Sequence, residues 1–367
     1  MSTTPVLEAR RVRTDELDFD LPSELIATRP VEPRDSSRLM VVSRNDASRL
    51  EHRVFRELPE LLRAGDLLVS NRSRVLPARL SGRRTDSGGA VDGLFVRELA
   101  EGRWEVMLRS NGKLRAGQTV ALLDQASRQT GVTIELVEPG EDGWVVRVDP
   151  ARPAGDTLRR VGATPLPPYI RSARKERGET SIEDDADRAW YRCVHEDAGR
   201  GASVAAPTAG LHMTQRVRDS LAERGVEEAA VYLDVGVGTF RPVTAEHLED
   251  HDMHAERYAA PAETLEALGR AARVIALGTT TVRTLESLPI DATDDVAGDA
   301  TLMITPGYEF KRIHGLVTNF HLPRSTLLAL VAALFPAGIQ RVRDLYAEAI
   351  RERYRFFSYG DAMLILP

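Results

Sequence analysis

Cysteine is almost absent from this sequence, which contains Cys193 and no other. A single thiol excludes an internal disulfide and any metal site built from several cysteines. Long apolar runs are missing as well, since the longest covers residues 327–335 and a bilayer span needs about 20 residues. Residues 8–13 are charged and leave no apolar core for a secretion signal. We therefore expect a cytoplasmic protein that does not contact a membrane.

Lysine is scarce too, and the three lysines are Lys113, Lys175 and Lys311. Nearly all of the positive charge is therefore guanidinium, which either reflects genome base composition or serves phosphate recognition, because arginine forks match phosphate oxygens. The net charge of −6 argues weakly against a general nucleic-acid coat but leaves a local basic patch open. The sequence does not decide between these explanations.

Several catalytic signatures are missing. No G-x-G-x-x-G opens a helix, and neither G-x-x-x-x-G-K-[ST] nor G-x-S-x-G occurs, which disfavours nucleotide hydrolysis and α/β-hydrolase chemistry. His247, His251 and His254 have helical i, i+4 and i+3 spacing and could hold a metal. Because H-E-x-x-H is absent, we favour a polar helix end here and expect no metal.

The length of 367 residues favours two domains or one domain with a large insertion. We expect a loose leader at 1–17 and a discontinuous α/β domain at 18–70 and 155–367. The intervening residues 71–154 contain short strand patterns without a convincing helix, which predicts an inserted small β-barrel domain. Its six strands are expected at 75–80, 94–99, 104–108, 119–123, 132–137 and 144–148.

Two segments connect the predicted barrel to the second part of the α/β domain. Residues 166–170 contain two prolines and are expected to form a stiff, extended linker. The basic run at 171–177 is interpreted either as a solvated loop or as a contact with a phosphate backbone.

From residue 203 onward, strand and helix patterns alternate, which predicts an α/β fold with a mixed, largely parallel sheet. Strands are expected at 203–206, 230–235, 274–277, 301–305, 316–320 and 362–366, with helices at 214–224, 282–288, 326–335 and 342–354. Four polar loops follow strand ends, at 207–212, 236–241, 278–283 and 319–325. Ligands bind outside the carboxyl ends of strands in open α/β sheets, so these loops predict a substrate site.

The residue types in these loops suit acid/base chemistry on a polar organic substrate, because they combine histidine, arginine, threonine and asparagine. Glu256 and Glu286 add carboxylates nearby in sequence. The turn at 207–212, taken alone, is better interpreted as a tight connection with an unremarkable histidine.

Several strings resemble one known family. They are A-A-P-T-A-G-L-H at 205–212, V-G-V-G-T-F-R-P-V at 235–243, H-x-M-H-x-E at 251–256, G-T-T-x-V-R-T-L-E-S at 278–287, T-N-F-H-L-P-R-S-T-L-L at 318–328 and Y-R-F-F-S-Y-G-D-A-M at 354–363. Together they are similar to the S-adenosylmethionine:tRNA ribosyltransferase-isomerases of queuosine biosynthesis. The resemblance covers about residues 18–367.

The resemblance implies an α/β domain with an inserted β-barrel and a transferase and isomerase reaction. The ribosyl moiety of S-adenosylmethionine moves onto 7-aminomethyl-7-deazaguanine at the wobble position of tRNA and rearranges, giving epoxyqueuosine-tRNA, adenine and methionine. S-adenosylmethionine is a substrate, so no cofactor is implied, and the tRNA anticodon stem-loop is the expected partner. No motif fixes the oligomeric state, and a monomer is the working expectation.

The reaction needs proton transfer at several points, because the sulfonium acidifies the C5′ protons, adenine leaves and the attacking amine must be neutral. The available groups, which we expect to be catalytic, are His212, His254, Glu256 and His321. Arg283 or Arg241 could hold the methionine carboxylate with both guanidinium nitrogens. The expected substrate-binding residues are Ala206, Pro207, Thr208, Gly210, Gly236, Gly238, Thr239, Arg241, Gly278, Thr279, Thr280, Arg283, Asn319 and Ser325.

The sequence departs from the family pattern at several positions. It has N-R-S-R at 71–74 in place of Asn-Asp-Thr-Arg, L-D-V-G at 233–236 in place of Leu-His-Val-Gly, and Y-R-C-V-H-E at 191–196 in place of Tyr-Gln-Thr-Val-Tyr-Ala. The L-R-S-N-G-K string at 108–113 is also unusual. The family reaction therefore competes with two alternatives: a diverged paralogue that uses S-adenosylmethionine with another acceptor, such as a small molecule, and a non-catalytic RNA-binding relative.

Overall fold

The computed structural model describes residues 11–179, 182–197, 199–201, 203–236, 243–251, 253 and 255–367. Fifteen strands are found in these residues. They are β1 (Arg38–Ser43), β2 (Leu50–Val54), β3 (Asp66–Asn71), β4 (Arg79–Arg84), β5 (Ala90–Ala100), β6 (Arg103–Ser110), β7 (Thr119–Leu123), β8 (Gln129–Pro139), β9 (Trp144–Asp149), β10 (Glu227–Leu233), β11 (Glu256–Ala260), β12 (Arg273–Leu277), β13 (Val296–Ala300), β14 (Gly315–Asn319) and β15 (Ala362–Leu366).

The same residues contain nine α-helices, and a few 3₁₀ turns connect the elements. The helices are α1 (Leu58–Leu61), α2 (Ala154–Val161), α3 (Pro168–Glu176), α4 (Asp184–Trp190), α5 (Gln215–Glu223), α6 (Ala262–Arg270), α7 (Thr279–Ser287), α8 (Thr326–Ala333) and α9 (Ile339–Arg351). Across the described ranges, no single helix is long and apolar enough to cross a bilayer, and 326–333 and 338–351 meet that test only as a pair joined across a 108° bend.

A nine-stranded sheet organises the α/β part in the order β13-β11-β10-β3-β12-β14-β15-β1-β2. Strands β10, β3, β12 and β14 run parallel to their neighbours in this central block, and β15 is parallel to β1. The other four neighbouring pairs are antiparallel. The predicted mixed α/β sheet is confirmed, with its parallel pairs concentrated at the centre.

The central strands are apolar on both faces because helices cover both sides of the sheet. Along β12, Val274 and Ala276 belong to the core on one side, whereas Ile275 and Leu277 belong to the core on the other. This alternation is the two-residue period of a strand, and every residue of β3 and β14 is buried. The sheet therefore offers a rigid base for the loops at its edge.

Strands β4 to β9 form a closed antiparallel barrel in the order β4-β5-β6-β9-β8-β7. Pairing of Gly82 with Leu122 joins the last strand to the first, and Trp104, Val106 and Ile134 are fully buried inside. The predicted inserted barrel is confirmed. The predicted first strand at 75–80 begins too early, because Val75 pairs instead with Ser203 and Pro77 has no amide hydrogen to donate.

The predicted domain boundaries at 71 and 154 remain a prediction, and the barrel strands themselves run from Arg79 to Asp149. Residues 1–10 of the predicted leader 1–17 lie outside the described residues. Its remaining part is not loose, because Val12 and Leu17 are buried and Arg13 pairs with His247.

Three other local predictions are wrong. Residues 203–206 are not a strand, because the Ser203 hydroxyl bonds the backbone of Ala205 in a local turn. The linker at 166–170 is extended only to Pro167, since Pro168 starts α3, where a proline is tolerated. The strand expected at 301–305 lies at β13 instead, whose pairing with β11 stops at Glu256.

Candidate active site

A cleft opens at the carboxyl ends of β12 and β14, with a volume of about 710 Å³ that is partly open to solvent. Three of the four predicted loops contribute to it within the described residues. The predicted site residues that line it are Ala206, Pro207, Thr208, Gly278, Thr279, Thr280, Asn319, His321 and Ser325. Val235, which precedes the fourth loop, also lines the cleft. Gly238, Thr239 and Arg241 of that loop lie outside the described residues, as does His254.

The remaining predicted site residues that the structure describes do not line the cleft. Gly210 and His212 lie behind the turn that forms one wall, and Gly236, Glu256 and Arg283 lie behind another. Their contacts show why the sequence pattern alone could not separate the two groups.

The amino end of α7 faces the cleft. Gly278 precedes this helix with a φ of +97°, a backbone conformation that favours glycine, and Thr279 and Thr280 line the cleft in its first turn. Among the residues that the structure describes, no side chain caps this end of the helix. The first amides of a helix lack intrahelical partners and carry the positive end of the helix dipole, so this turn suits an anionic group such as a carboxylate.

A chain of hydrogen bonds runs from the cleft into the core. The Thr208 hydroxyl donates to Asn319 Oδ1 at 2.9 Å, and Asn319 Nδ2 lies 3.2 Å from the carbonyl oxygen of Phe357 and 3.1 Å from His212 Nε2. The carbonyl contact assigns the Asn319 NH₂ group as the donor. His212 Nε2 therefore accepts, and its Nδ1 donates to Ser37 Oγ at 2.8 Å.

His212 is consequently a buried, neutral histidine with both ring nitrogens bonded to protein. Burial, with the charges of Arg355 and Arg34, lowers the pKa of His212 to about 3. Phe55 packs near the ring at a centroid distance of 5.0 Å. This geometry makes His212 a support that orients Asn319 and, through it, Thr208.

His321 is in a different position, because it lines the cleft and only part of its surface is covered. Its Nε2 is 2.8 Å from Thr318 Oγ1, and its backbone amide donates to the Tyr346 hydroxyl. The surrounding protein desolvates the ring and lowers the pKa of His321 to about 4. At neutral pH the imidazole is therefore uncharged and can accept a proton at the cleft.

Glu256 and Arg283 form a buried ion pair. Glu256 Oε2 is 2.5 Å from Arg283 Nη1, and Arg283 Nη2 donates to the carbonyl oxygen of Ala300. Glu256 Oε1 accepts from the backbone amide of Gly236 at 3.2 Å, next to Val235 of the cleft. The pair thus anchors the 235–236 loop to β11 and α7, and Arg283 already has a carboxylate partner.

The cleft residues that were not among the predicted site residues include Tyr169, Phe357 and Ser358. The rings of Tyr169 and Phe357 have centroids 4.7 Å apart, and the Tyr169 hydroxyl bonds Ser358 Oγ at 2.5 Å. They form an aromatic wall that suits a flat heterocycle. The R-F-F-S string at 355–358 belongs to the matching motifs and could have signalled two of them.

His247 and His251 do not share a helical face. A single 3₁₀ turn, Leu248–Asp250, separates them, because the segment never forms the α-helix that the i, i+4 spacing requires. Within the described part of the chain, no group of histidine, cysteine and acidic residues is arranged to hold a metal.

The departures from the family pattern lie around the cleft and not in its lining. Arg72 Nη2 is 3.6 Å from Glu228, and Asp234 lines a separate pocket together with Arg257. A side chain at Gly210 would meet Cys193 Sγ at 2.9 Å and His195 Cε1 at 2.8 Å. The 191–196 segment therefore packs directly on the back of the 207–212 turn.

The chain is similar to known proteins over almost its full length. A model of the family described as "Queuosine biosynthesis protein" matches residues 14–365. A Rubrobacter xylanophilus protein named S-adenosylmethionine:tRNA ribosyltransferase-isomerase is 49% identical, covering 97% of this chain and 98% of its own length. The Thermotoga maritima protein of the same name is 46% identical, with 97% and 100% covered.

A solved structure is similar over the same extent. The crystal structure of S-adenosylmethionine tRNA ribosyltransferase from Thermotoga maritima superposes with a TM-score of 0.52 and 37% identity, covering 96% of this chain and 100% of that one. Because both the sequence and the structure match over almost the full length, the chain belongs to the queuosine biosynthesis protein family.

Proposed function

We propose that this protein is an S-adenosylmethionine-dependent ribosyltransferase-isomerase that acts on tRNA. The observation that carries the proposal is the match over residues 14–365, with relatives at 43–49% identity that are named for this reaction. The departures at 71–74, 191–196 and 234 leave the cleft lining intact, so they give no support to a different acceptor.

The acceptor is the aminomethyl group of a 7-deazaguanine at the wobble position. Its nitrogen bonds to the ribosyl carbon, adenine and methionine leave, and the sugar rearranges to an epoxycyclopentanediol. A base must remove an acidified C5′ proton, and the attacking amine must lose a proton to become nucleophilic. The site therefore has to bind a carboxylate, a purine and a sugar, and it has to accept protons.

His321 is the residue that we assign to proton acceptance. It lines the cleft and is uncharged at neutral pH, because the pKa is lowered to about 4. When Nε2 donates to Thr318 Oγ1, the lone pair of Nδ1 is available for a proton from the substrate.

The methionine carboxylate is assigned to the amino end of α7, at the amides of Thr279 and Thr280. This assignment replaces Arg283, because that guanidinium would have to leave Glu256 and the Ala300 carbonyl to reach the substrate. Adenine is assigned to the wall formed by Tyr169 and Phe357, where a purine can stack. Thr208 and Asn319 remain for the ribose hydroxyls.

His212, Glu256 and Arg283 are positioning residues in this proposal. His212 holds Asn319 through its ring, and the ion pair holds the loop that carries Val235. A tRNA substrate places the reaction in the cytoplasm, and we expect the protein to act as a monomer.

The test is a turnover assay with three acceptor conditions. The purified protein is incubated with S-adenosylmethionine and tRNA that carries the aminomethyl-deazaguanine, the same tRNA with guanine at that position, or no tRNA. We expect adenine release and a matching mass gain of the nucleoside only in the first condition. Equal adenine release without tRNA would refute the proposed acceptor.

A further inference from the structure

A second pocket lies where the chain enters and leaves the barrel. About 570 Å³ of space, part of it open to solvent, lies between residues 74–77, α2 and the end of α4. Four arginines line it, Arg74, Arg159, Arg188 and Arg192, with Glu196 as the carboxylate among the lining residues. We refer to these four arginines as the junction arginines.

Three of the four junction arginines can bind a further anion. Arg74 is half-buried, and its guanidinium has no hydrogen bond or ion pair within the described ranges. Arg192 is 61% exposed and contacts Glu196 at 3.1 Å, and Arg159 pairs with Asp156 where both side chains are 55% exposed. The exposed Arg159–Asp156 pair contributes only about 0–1 kcal/mol, so a phosphate can replace Asp156. The Glu196 side chain is only 3% exposed and contacts Arg192 through Nη2, so a phosphate would bind the other guanidinium nitrogens of Arg192 while this contact stays in place.

Arg188 is held more firmly than the others. Its Nε donates to Asp184 at 2.6 Å and its Nη2 to the Gly162 carbonyl at 2.6 Å. It therefore provides fixed positive charge beside the three movable guanidinium groups.

The pocket and the active-site cleft both border one small apolar cluster. Tyr191 and Ala206 belong to this cluster, and Val75 and Tyr169 pack against it. Tyr191 and Val75 line the arginine pocket, whereas Ala206 and Tyr169 line the cleft. Because both sites border this cluster, a nucleic acid whose reacting base enters the cleft can extend its backbone to the junction arginines.

We propose that the junction arginines bind the phosphodiester backbone of the anticodon loop next to the reacting nucleotide. Arginine forks match phosphate oxygens with two hydrogen bonds, and enzymes that modify a base hold the flanking backbone while the base is turned out of its stack. The exposure of Arg159 and Arg192 suits a chain that passes over the surface more than a ligand that is fully enclosed. This inference rests on the proposed tRNA acceptor.

The basic run at 171–177, which the sequence offers as an alternative RNA contact, contributes less. It forms most of α3 and not a loop. Arg174 bonds Asp187 and the Thr28 carbonyl, and Arg177 bonds the carbonyls of Ser23 and Ile26, so both stabilise the fold. The pocket between α2 and α4 is the better candidate.

The test measures binding of the anticodon stem-loop RNA over a range of salt concentrations, using Arg74→Gln and Arg192→Gln. Each variant should weaken binding about three- to tenfold at low salt, because one charge-assisted phosphate contact is lost. The slope of log K against log salt should fall by about one. Arg192 is mostly exposed, so its variant keeps the measurement valid if Arg74→Gln folds poorly.

Two further variants serve as controls. Arg270→Gln removes an arginine that is 60% exposed and paired with Glu227 at the amino end of β10, away from the cleft, and should leave RNA binding unchanged. Glu196→Gln removes the carboxylate that is paired with Arg192 and should tighten RNA binding about two- to threefold. Binding of S-adenosylmethionine should be equal in all variants.

This inference is overturned if the wild type binds the RNA and if Arg74→Gln and Arg192→Gln bind it as tightly as Arg270→Gln does. The proposed function would still stand in that case. Adenine release without tRNA, together with no RNA binding by the wild type, would instead refute the proposed function itself. The two failures are therefore distinguishable.

Discussion

Two histidines occupy adjacent places at the same edge of the sheet and differ in their surroundings. His212 is enclosed, and both of its ring nitrogens bond protein groups. His321 lines the cleft, where Thr318 is the hydrogen-bond partner of its ring within the described ranges. Glu256 and Arg283 resemble His212, because they form a buried ion pair with each other and do not line the cleft. The motifs thus combine residues that line the cleft with residues that hold the cleft-lining group in place.

The largest expected effect concerns the cleft side. His321→Gln should lower kcat about 10²–10⁴-fold, because it removes a proton acceptor, while thermal unfolding stays close to wild type. In the wild type, the pKa of about 4 predicts that kcat stays level from neutral pH down to about pH 5 and falls as the imidazole is protonated below that. A stopped-time assay of adenine release across pH provides the measurement. Wild-type kcat in His321→Gln would contradict the assignment.

The buried ion pair between Glu256 and Arg283 should affect stability, whereas His321 should affect turnover. Glu256→Leu leaves the Arg283 guanidinium buried without its carboxylate, which should lower the free energy of unfolding by about 3–5 kcal/mol. Urea unfolding followed by circular dichroism measures this change. Glu227→Gln, which breaks the exposed pair with Arg270, is the matched control and should cost about 0–1 kcal/mol. A similar small loss for both variants would remove the distinction.

His212 should affect stability and its pH dependence. His212→Phe removes the ring nitrogens that bond Ser37 Oγ and Asn319 Nδ2 and should cost about 1–3 kcal/mol at pH 7. The pKa of His212 is lowered to about 3 in the folded state, so the unfolded state binds the proton first as pH falls. The wild type should therefore lose stability between about pH 6.5 and pH 3 as this histidine is protonated on unfolding.

The variant lacks this contribution. Between pH 7 and pH 5, the unfolding free energy of His212→Phe should fall by about 1–2 kcal/mol less than the unfolding free energy of the wild type does. Identical pH dependence in the two proteins would show that His212 is not held neutral.

The smallest expected effect is that of Thr208, which lines the cleft and bonds Asn319, the residue that His212 holds. Thr208→Val removes the hydroxyl that bonds Asn319 Oδ1 and should raise the KM for S-adenosylmethionine about two- to tenfold, with a small change in kcat. Thr208→Ser keeps the hydroxyl and should behave as wild type. If both variants change KM equally, the methyl group and not the hydrogen bond contributes the effect.

Much of the fold can be predicted from local patterns in the sequence. The apolar strands β3, β12 and β14 carry their own signal, and the barrel strand at 119–123 and the strand at 362–366 are found where they are predicted. The errors occur where a side chain or a proline overrides the pattern, as with the Ser203 hydroxyl and with Pro168 at the start of α3.

The site is predictable only in part. The order of strands and helices predicts which loops meet, because the carboxyl ends of parallel strands lie at one edge. Orientation within a loop depends on tertiary contacts, and no local pattern distinguishes the enclosed His212 from the accessible His321. The aromatic wall depends on Tyr169, which comes from α3, an element that the sequence patterns did not predict.

The place of β15 in the sheet has a consequence for biosynthesis of the enzyme. This strand lies between β14 and β1, so the ribbon of β1 and β2 is joined to the central strands through residues 362–366. Ala362 also pairs with Asn319 at the edge of the cleft. On the ribosome, all six barrel strands have emerged by residue 149, whereas the sheet must wait for the last strand. We therefore expect the growing chain to form the barrel before the cleft at the sheet edge is complete.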